Sequence, residues 1–171
     1  MRERFTFSRL ALLVALGATV AIVAVPAATG AGAVTVRGDQ LIEGSQTCEN
    51  AQPDTYLMTG DLVGCWYTTS FVVVQANDNR GGHFKASGTE HFVGCLNTNG
   101  NAQCDPGEPF GTFDTKFTFT AKFAPTGEEI HGRCQHPITG GSGDFDGASG
   151  VISFKDIPPE GRFPYHGNIR L

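Results

Sequence analysis

An all-β fold, an antiparallel up-and-down β-barrel of about eight strands, follows from three observations. From Phe113 to Phe123, Phe113, Thr115, Phe117, Phe119, Ala121 and Phe123 fall on one face. Asp114, Lys116, Thr118, Thr120 and Lys122 fall on the other, and only a period of two sorts them so. Turn-forming stretches rich in Gly, Pro, Asn and Asp divide the rest into further short β-like runs. No amphipathic helical window of useful length occurs beyond the N-terminal leader. Closure removes sheet edges, which suits a chain rich in Phe and Val, and about eight strands enclose either packed side chains or one small ligand.

The leader comes first. Arg2, Arg4 and Arg9 precede an apolar run from Leu10 to Val25, then Pro26 and small residues ending in Ala31-Gly32-Ala33. This is the n-region, h-region and cleavage-site pattern of a secretory signal peptide over 1–33, so the protein is expected outside the cell. Removal of 33 residues from the 171 leaves 138, enough for one domain with its own core. The remainder carries 9 Lys and Arg against 16 Asp and Glu, a net charge of −7. That surface argues against nucleic acid and anionic membrane as partners.

Residues 34–53 are weakly patterned and read as an N-terminal arm or edge strand, ahead of a barrel domain over 54–171. Tyr56–Gly60 and Leu62–Gln75 form the first convincing β region. Ala76 to Gly82 is a loop by composition. His83–Leu96 follows as a strand with Phe84, Ala86, Gly88, Glu90 and Phe92 on one face. Asn97–Glu108 is a turn-rich insertion. Its neutral Asn97, Asn99 and Asn101, with no bidentate Glu at the required spacing, do not make a calcium loop. Glu129–Ile138 is the next strand, and Tyr165–Leu171 the last, after a loop containing Pro158-Pro159.

Between them lies Ile138–Lys155. Gly140, Gly141 and Gly143 are expected to reverse the chain, and an extended run starting at Asp144-Phe145 to carry Gly147 and Gly150 as bulges or close approaches. A phosphate cradle is the wrong reading: Asp144 and Asp146 repel phosphate, no Lys follows, and a strand follows where a helix is needed. The run Gly140-Gly141-Ser142-Gly143-Asp144-Phe145-Asp146-Gly147-Ala148-Ser149-Gly150 resembles the G-G-[ST]-G-x-F-x-G-A-x-G segment of the allene oxide cyclase and dirigent-like barrels, within the calycin-like group. Gly64-Cys65-Trp66 also looks like the lipocalin Gly-x-Trp, in which an Arg of the last strand covers the indole; Arg170 is the matching candidate.

The exported portion carries Cys48, Cys65, Cys95, Cys104 and Cys134. Export makes disulfides the default, and the odd count leaves one sulfur unpaired or bridging two copies, so a homo-oligomer stays open. Cys95 and Cys104 bracket the insertion and form the leading pair; Cys65 then joins Cys134 or Cys48, and sequence does not choose between them. No C-x-x-C spacing occurs, and His131 and His136 fall on opposite strand faces, so no metal site is expected.

Three functions fit this architecture. The first is a secreted barrel binding a small apolar molecule, with Trp66, Phe84, Phe92, Phe113, Phe117, Phe119 and Tyr165 as lumen candidates. The second, which the family resemblance implies, is a cofactor-free cyclase or isomerase that steers a flexible substrate mainly by shape. Its matching residues are structural Gly and Phe, so polar candidates rest on placement alone. Glu90 shares a face with Phe84 and Phe92, and Tyr67 and Arg133 are lumen candidates. No cofactor is implied, and no Ser-His-Asp or Cys-His spacing suggests a hydrolase. The third is an extracellular structural or interaction protein with a filled barrel.

Overall fold

Eight antiparallel strands close into a barrel in simple chain order, β1 through β8. They are β1 Val34–Leu41, β2 Thr55–Gly60, β3 Leu62–Ala76, β4 His83–Leu96, β5 Phe110–Phe123, β6 Glu129–Gly143, β7 Ser149–Asp156 and β8 Arg162–Arg170. The structure, a computed structural model, describes residues 32–76, 81–157, 160 and 162–171. Residues 1–31 of the signal peptide expected over 1–33, residues 77–80 of the loop expected at 76–82, and Pro158-Pro159 lie outside the described residues. No helix among the described residues is long and apolar enough to cross a membrane.

The stretch expected as an arm or edge strand is a full barrel strand. β1 pairs β2 through Gly38↔Gly60 and β8 from Val34↔Ile169 to Leu41↔Arg162. Its pattern is weak in sequence because Gly38 occupies an inward position beneath Tyr165. A Cβ there would stand 2.6 Å from the phenol oxygen. That oxygen accepts from Leu62 N at 2.8 Å and donates to Thr59 O at 3.1 Å, tying β8 to the β2–β3 turn.

The strands are unequal. β3 to β6 run 14 or 15 residues, whereas β1, β2, β7 and β8 run 6 to 9. Half of the wall is therefore tall and half short. β2 begins pairing with β3 at Thr55↔Tyr67, so the tall end of β3 pairs with β4 alone. Phe71 to Val74 are accordingly exposed. A bulge after Thr68 inserts Thr69 and shifts the parity of β3. Thr69 and Ser70 both bond Thr89 on the outer face, and Phe71 turns inward to pack on Phe117.

At the end near the β2–β3 and β6–β7 turns the lumen is packed. Trp66, Phe92, Phe113, Phe145, Met58, Leu62, Ile152 and Ile169 are all fully buried there. Phe92 stacks on Phe113 at 4.7 Å, and Phe145 meets Phe113 edge-on at 5.4 Å. Each such side chain is worth about 1.5–3 kcal/mol of burial, so this plug dominates the apolar contribution to stability.

Phe145 explains the glycines beside it. The expected reversal at Gly140–Gly143 comes later: β6 runs to Gly143 and the turn occupies Asp144–Ala148, closed by Ala148 N donating to Phe145 O at 2.9 Å. Gly141 makes room for the plug, since a Cβ there would stand 2.6 Å from Thr112 O and 3.0 Å from Phe145 Cβ. Gly143 then starts the turn at φ +65°. Gly147 sits in that turn, and Gly140 and Gly150 are strand positions. Arg170 is exposed and pairs across to Ser149; Trp66 is enclosed instead by Phe92, Phe113, His136 and Phe154, so no Arg covers the indole.

Two disulfides staple the loops, Cys48–Cys65 and Cys95–Cys104. Such bonds belong to oxidising compartments, consistent with an extracellular location. The first joins the β1–β2 connection to β3, and Cys134 is left as the free thiol. Cys134 is buried, which keeps its sulfur from a second copy. Glu108 organises the Asn97–Glu108 insertion, accepting from Thr98 N at 2.7 Å, Asn99 N at 3.3 Å and Asp105 N at 3.1 Å. Those donors hold its carboxyl below the usual range, and N–H groups occupy the oxygens a cation would use.

Candidate functional site

Beyond the packed plug, toward the β5–β6 turn, the lumen encloses a cavity of about 280 Å³. Inward positions of all eight strands build it. β5 supplies Phe117 and Phe119, bulged β3 supplies Thr68 and Phe71, and Tyr56, Phe154 and Phe163 come from β2, β7 and β8. Into this ring of six aromatic side chains project the carboxylates of Asp54, Glu90, Glu129 and Asp156, with His136 and the Cys134 thiol. No Lys or Arg lines it.

Glu90 on β4 and His136 on β6 form the floor. They are 7% and 3% exposed, and His136 Nε2 stands 2.7 Å from Glu90 Oε2. Trp66 meets the imidazole edge-on at 5.5 Å and Phe154 at 4.6 Å, so the ring cannot swing away. Thr68 Oγ1 donates to Glu90 Oε1 at 3.4 Å. The Glu90 Oε2 contact lacks hydrogen-bonding geometry, and His136 Nδ1 has no partner. Buried polar atoms are nearly always satisfied, so two orphans on one buried pair set this floor apart from the apolar plug.

Glu129, at the start of β6, and Asp156, at the end of β7, form a second polar centre. Burial pushes the Glu129 carboxyl up to about 7, and the neighbouring Asp156 charge and a hydrogen bond to Asp156 push the same way. Burial raises Asp156 as well. Two desolvated carboxyls in contact cannot both be charged cheaply, so near neutrality this pair holds a proton. Glu129 Oε1 is buried without a partner. Burial, then Asp54, Glu90 and Asp156, raise the Tyr56 phenol to about 12, which keeps it a hydrogen-bond donor. Burial raises the Cys134 thiol, with Glu90 and Asp156 adding to it, so it is no thiolate nucleophile at neutral pH.

The sequence-derived candidates divide. Glu90, Phe117 and Phe119 line the cavity, and Phe84 packs behind Phe71 and Phe119. Trp66, Phe92, Phe113 and Tyr165 are inside the barrel but belong to the packed core. Tyr67 and Arg133 correct the expectation that they face the lumen. Tyr67 donates to Glu49 O at 3.0 Å on the outside, and Arg133 is exposed over a depression of the β5–β8 outer wall. Both occupy positions alternate to inward neighbours, Trp66 and Cys134. Glu129, Asp156 and Tyr56 are absent from the sequence-derived candidates, and His136 enters there only as a metal ligand set aside on strand parity. The signal for His136 was present, since it shares parity with Cys134 and Ile138. Among the described residues, no group of three or more His, Cys, Asp and Glu is arranged to hold a metal ion.

In comparisons with known proteins, no family model and no curated protein sequence matches this chain.

Proposed function

We propose that this chain is a secreted small β-barrel protein that binds a small apolar ligand in the hollow half of its lumen. The observation that carries the reading is the 280 Å³ cavity walled by six aromatic side chains above a closed floor. Its size falls near the lower end of small-molecule sites, and a few convergent polar groups among apolar walls are their usual make-up. The N-terminal leader pattern and the two disulfides support export. Mass spectrometry of an organic extract of the protein purified from culture medium tests it. A stoichiometric compound is expected, and its re-addition at about 100 times its dissociation constant should add roughly 2.7 kcal/mol of stability. An empty extract, with no thermal stabilisation by terpenoids, fatty acids, phenolics or amines, would reject the reading and favour the filled, structural barrel.

A second reading, a cofactor-free cyclase or isomerase of the allene oxide cyclase or dirigent type, draws on one observation, the buried Glu90–His136 contact beside the proton-holding Glu129. An acid and a base held beside an aromatic-walled cavity suit proton transfer to a substrate that the walls fold into shape. Turnover that Glu129→Gln abolishes while ligand affinity persists would favour this reading; equal turnover by wild type and variant would reject it.

A further inference from the structure

Two unpartnered atoms on residues that line the cavity share one property. Glu129 Oε1 is a carboxyl oxygen, and His136 Nδ1 is an acceptor in the tautomer whose Nε2–H faces Glu90 Oε2 at 2.7 Å. Around them stand two further carboxylates, Asp54 and Asp156, with no cationic side chain to balance the four. Six aromatic side chains present ring faces and edges to the same space. The floor is therefore rich in acceptors and negative potential, enclosed by a wall suited to apolar and cation–π contact.

We propose that the ligand of this cavity is an organic cation, an apolar one- or two-ring or short-chain amine whose ammonium group is held by the Glu90, Glu129, Asp156 and His136 acceptors. This rests on the lumen being the binding site and names the chemistry that site selects. An ammonium supplies several N–H donors and one positive charge, the two things the cavity lacks. It replaces the proton that Glu129 and Asp156 hold between them, relieving their repulsion without leaving either carboxylate bare. A carboxylate ligand such as a fatty acid meets like charge, and a neutral alcohol satisfies one acceptor and no charge. The acid cluster does not stand alone in this argument. His136, an imidazole and not a carboxyl, is 3% exposed, lines the cavity and has an unpartnered Nδ1.

Matched ligands on two skeletons separate the outcomes: tryptamine, tryptophol and indole-3-acetate, and octylamine, octanol and octanoate. They are measured by isothermal calorimetry on the full mature protein at pH 8. Within at least one skeleton the amine is expected to bind at least tenfold tighter than the alcohol, with no measurable carboxylate binding. Glu129→Gln should weaken the amine at least fivefold and leave the alcohol within twofold; Asp156→Asn is the second variant should Glu129→Gln fail the circular-dichroism check for folding. Lowering the pH from 8 to 5 should weaken only the amine. A proton then returns to the Glu129–Asp156 pair, Asp54, Glu90 and His136 are the other titratable groups that line the cavity beside Tyr56 and Cys134, and those last two stay neutral. Alcohols or carboxylates binding as tightly as amines would overturn the cation and leave lumen binding standing. No binding by either set, with stabilisation by a terpenoid or phenolic, would do the same. No ligand of any class stabilising the protein would sink both readings.

Discussion

The packed and hollow halves of the lumen are built from the same residue type on the same strands, yet one is solid and the other encloses a cavity. On β5, Phe113 stacks on Phe92 at 4.7 Å, while Phe119, six residues further along, meets Phe84 at 6.0 Å beside open space. Two things make the difference. Toward the β6–β7 turn every facing strand contributes an apolar side chain, among them Met58, Ile152 and Ile169, and Phe145 caps the end. Toward the other end β1, β2, β7 and β8 stop short, and inward positions carry Gln40, Glu90, Glu129 and Asp156. A phenylalanine stripe thus reports which face is inward and says nothing of whether that face is filled.

Paired truncations give the largest contrast. Phe113→Ala should cost about 3–5 kcal/mol in denaturant unfolding, because it opens a void in a close-packed plug. Phe119→Ala removes a half-buried ring from a wall that already borders a cavity and should cost about 1 kcal/mol or less. Equal losses would mean that the two halves are packed alike. The Glu90–His136 floor lies at their boundary. Removing one partner, as in His136→Leu, should cost about 3 kcal/mol, and the double change Glu90→Leu with His136→Leu should recover most of it. A double variant as unstable as the sum of the singles would show that the pair is not coupled.

A smaller effect separates the halves by pH. The Glu129 carboxyl titrates at about 7 when folded against an ordinary value of 4.5, so the folded state holds its proton more tightly than the unfolded chain. Stability should fall as pH rises between those values and level off above them. In Glu129→Gln that part of the fall should vanish, leaving the variant more resistant to urea than the wild type at pH 8. Urea midpoints that drop equally in both proteins from pH 5 to pH 8 would assign the slope to other groups. The smallest effect belongs to the outer wall. His91 Nδ1 meets Asp114 Oδ1 at 2.7 Å, the same separation as His136 to Glu90, but water screens it. His91→Ala should change stability by less than about 0.5 kcal/mol.

Most of the barrel was legible because alternation is a local signal. β4 and β5 present inward the faces that periodicity marks, Glu90 among them, and the Cys95–Cys104 pairing follows from a loop short enough to bracket. What escaped depends on contacts between distant strands. The single inserted Thr69 moves Phe71 into the lumen, where unbroken alternation from Trp66 would place Ser70 and Val72. β1 looks unpatterned because Gly38 yields its inward space to Tyr165. Glu90 finds His136, and Glu129 finds Asp156, only once the wall curves round. The choice of Cys48 over Cys134 for Cys65 likewise follows from the β1–β2 connection crossing the outside of β3, while Cys134 faces in.

The pairing of β1 with β8 differs from every other strand contact. Seven joints link consecutive strands and can form hairpin by hairpin, whereas this one brings Val34 to Ile169 across nearly the whole fold. Loop-closure entropy and high sequence separation make this joint the most costly of the eight to close. Gln40 and Phe163 face each other across it, and both also line the cavity. An occupant of the cavity therefore grips the last joint to close. If the lumen holds the ligand proposed above, its release and the opening of the ring would become one kinetic event, to be seen as slowed amide exchange in β1 and β8 on ligand addition.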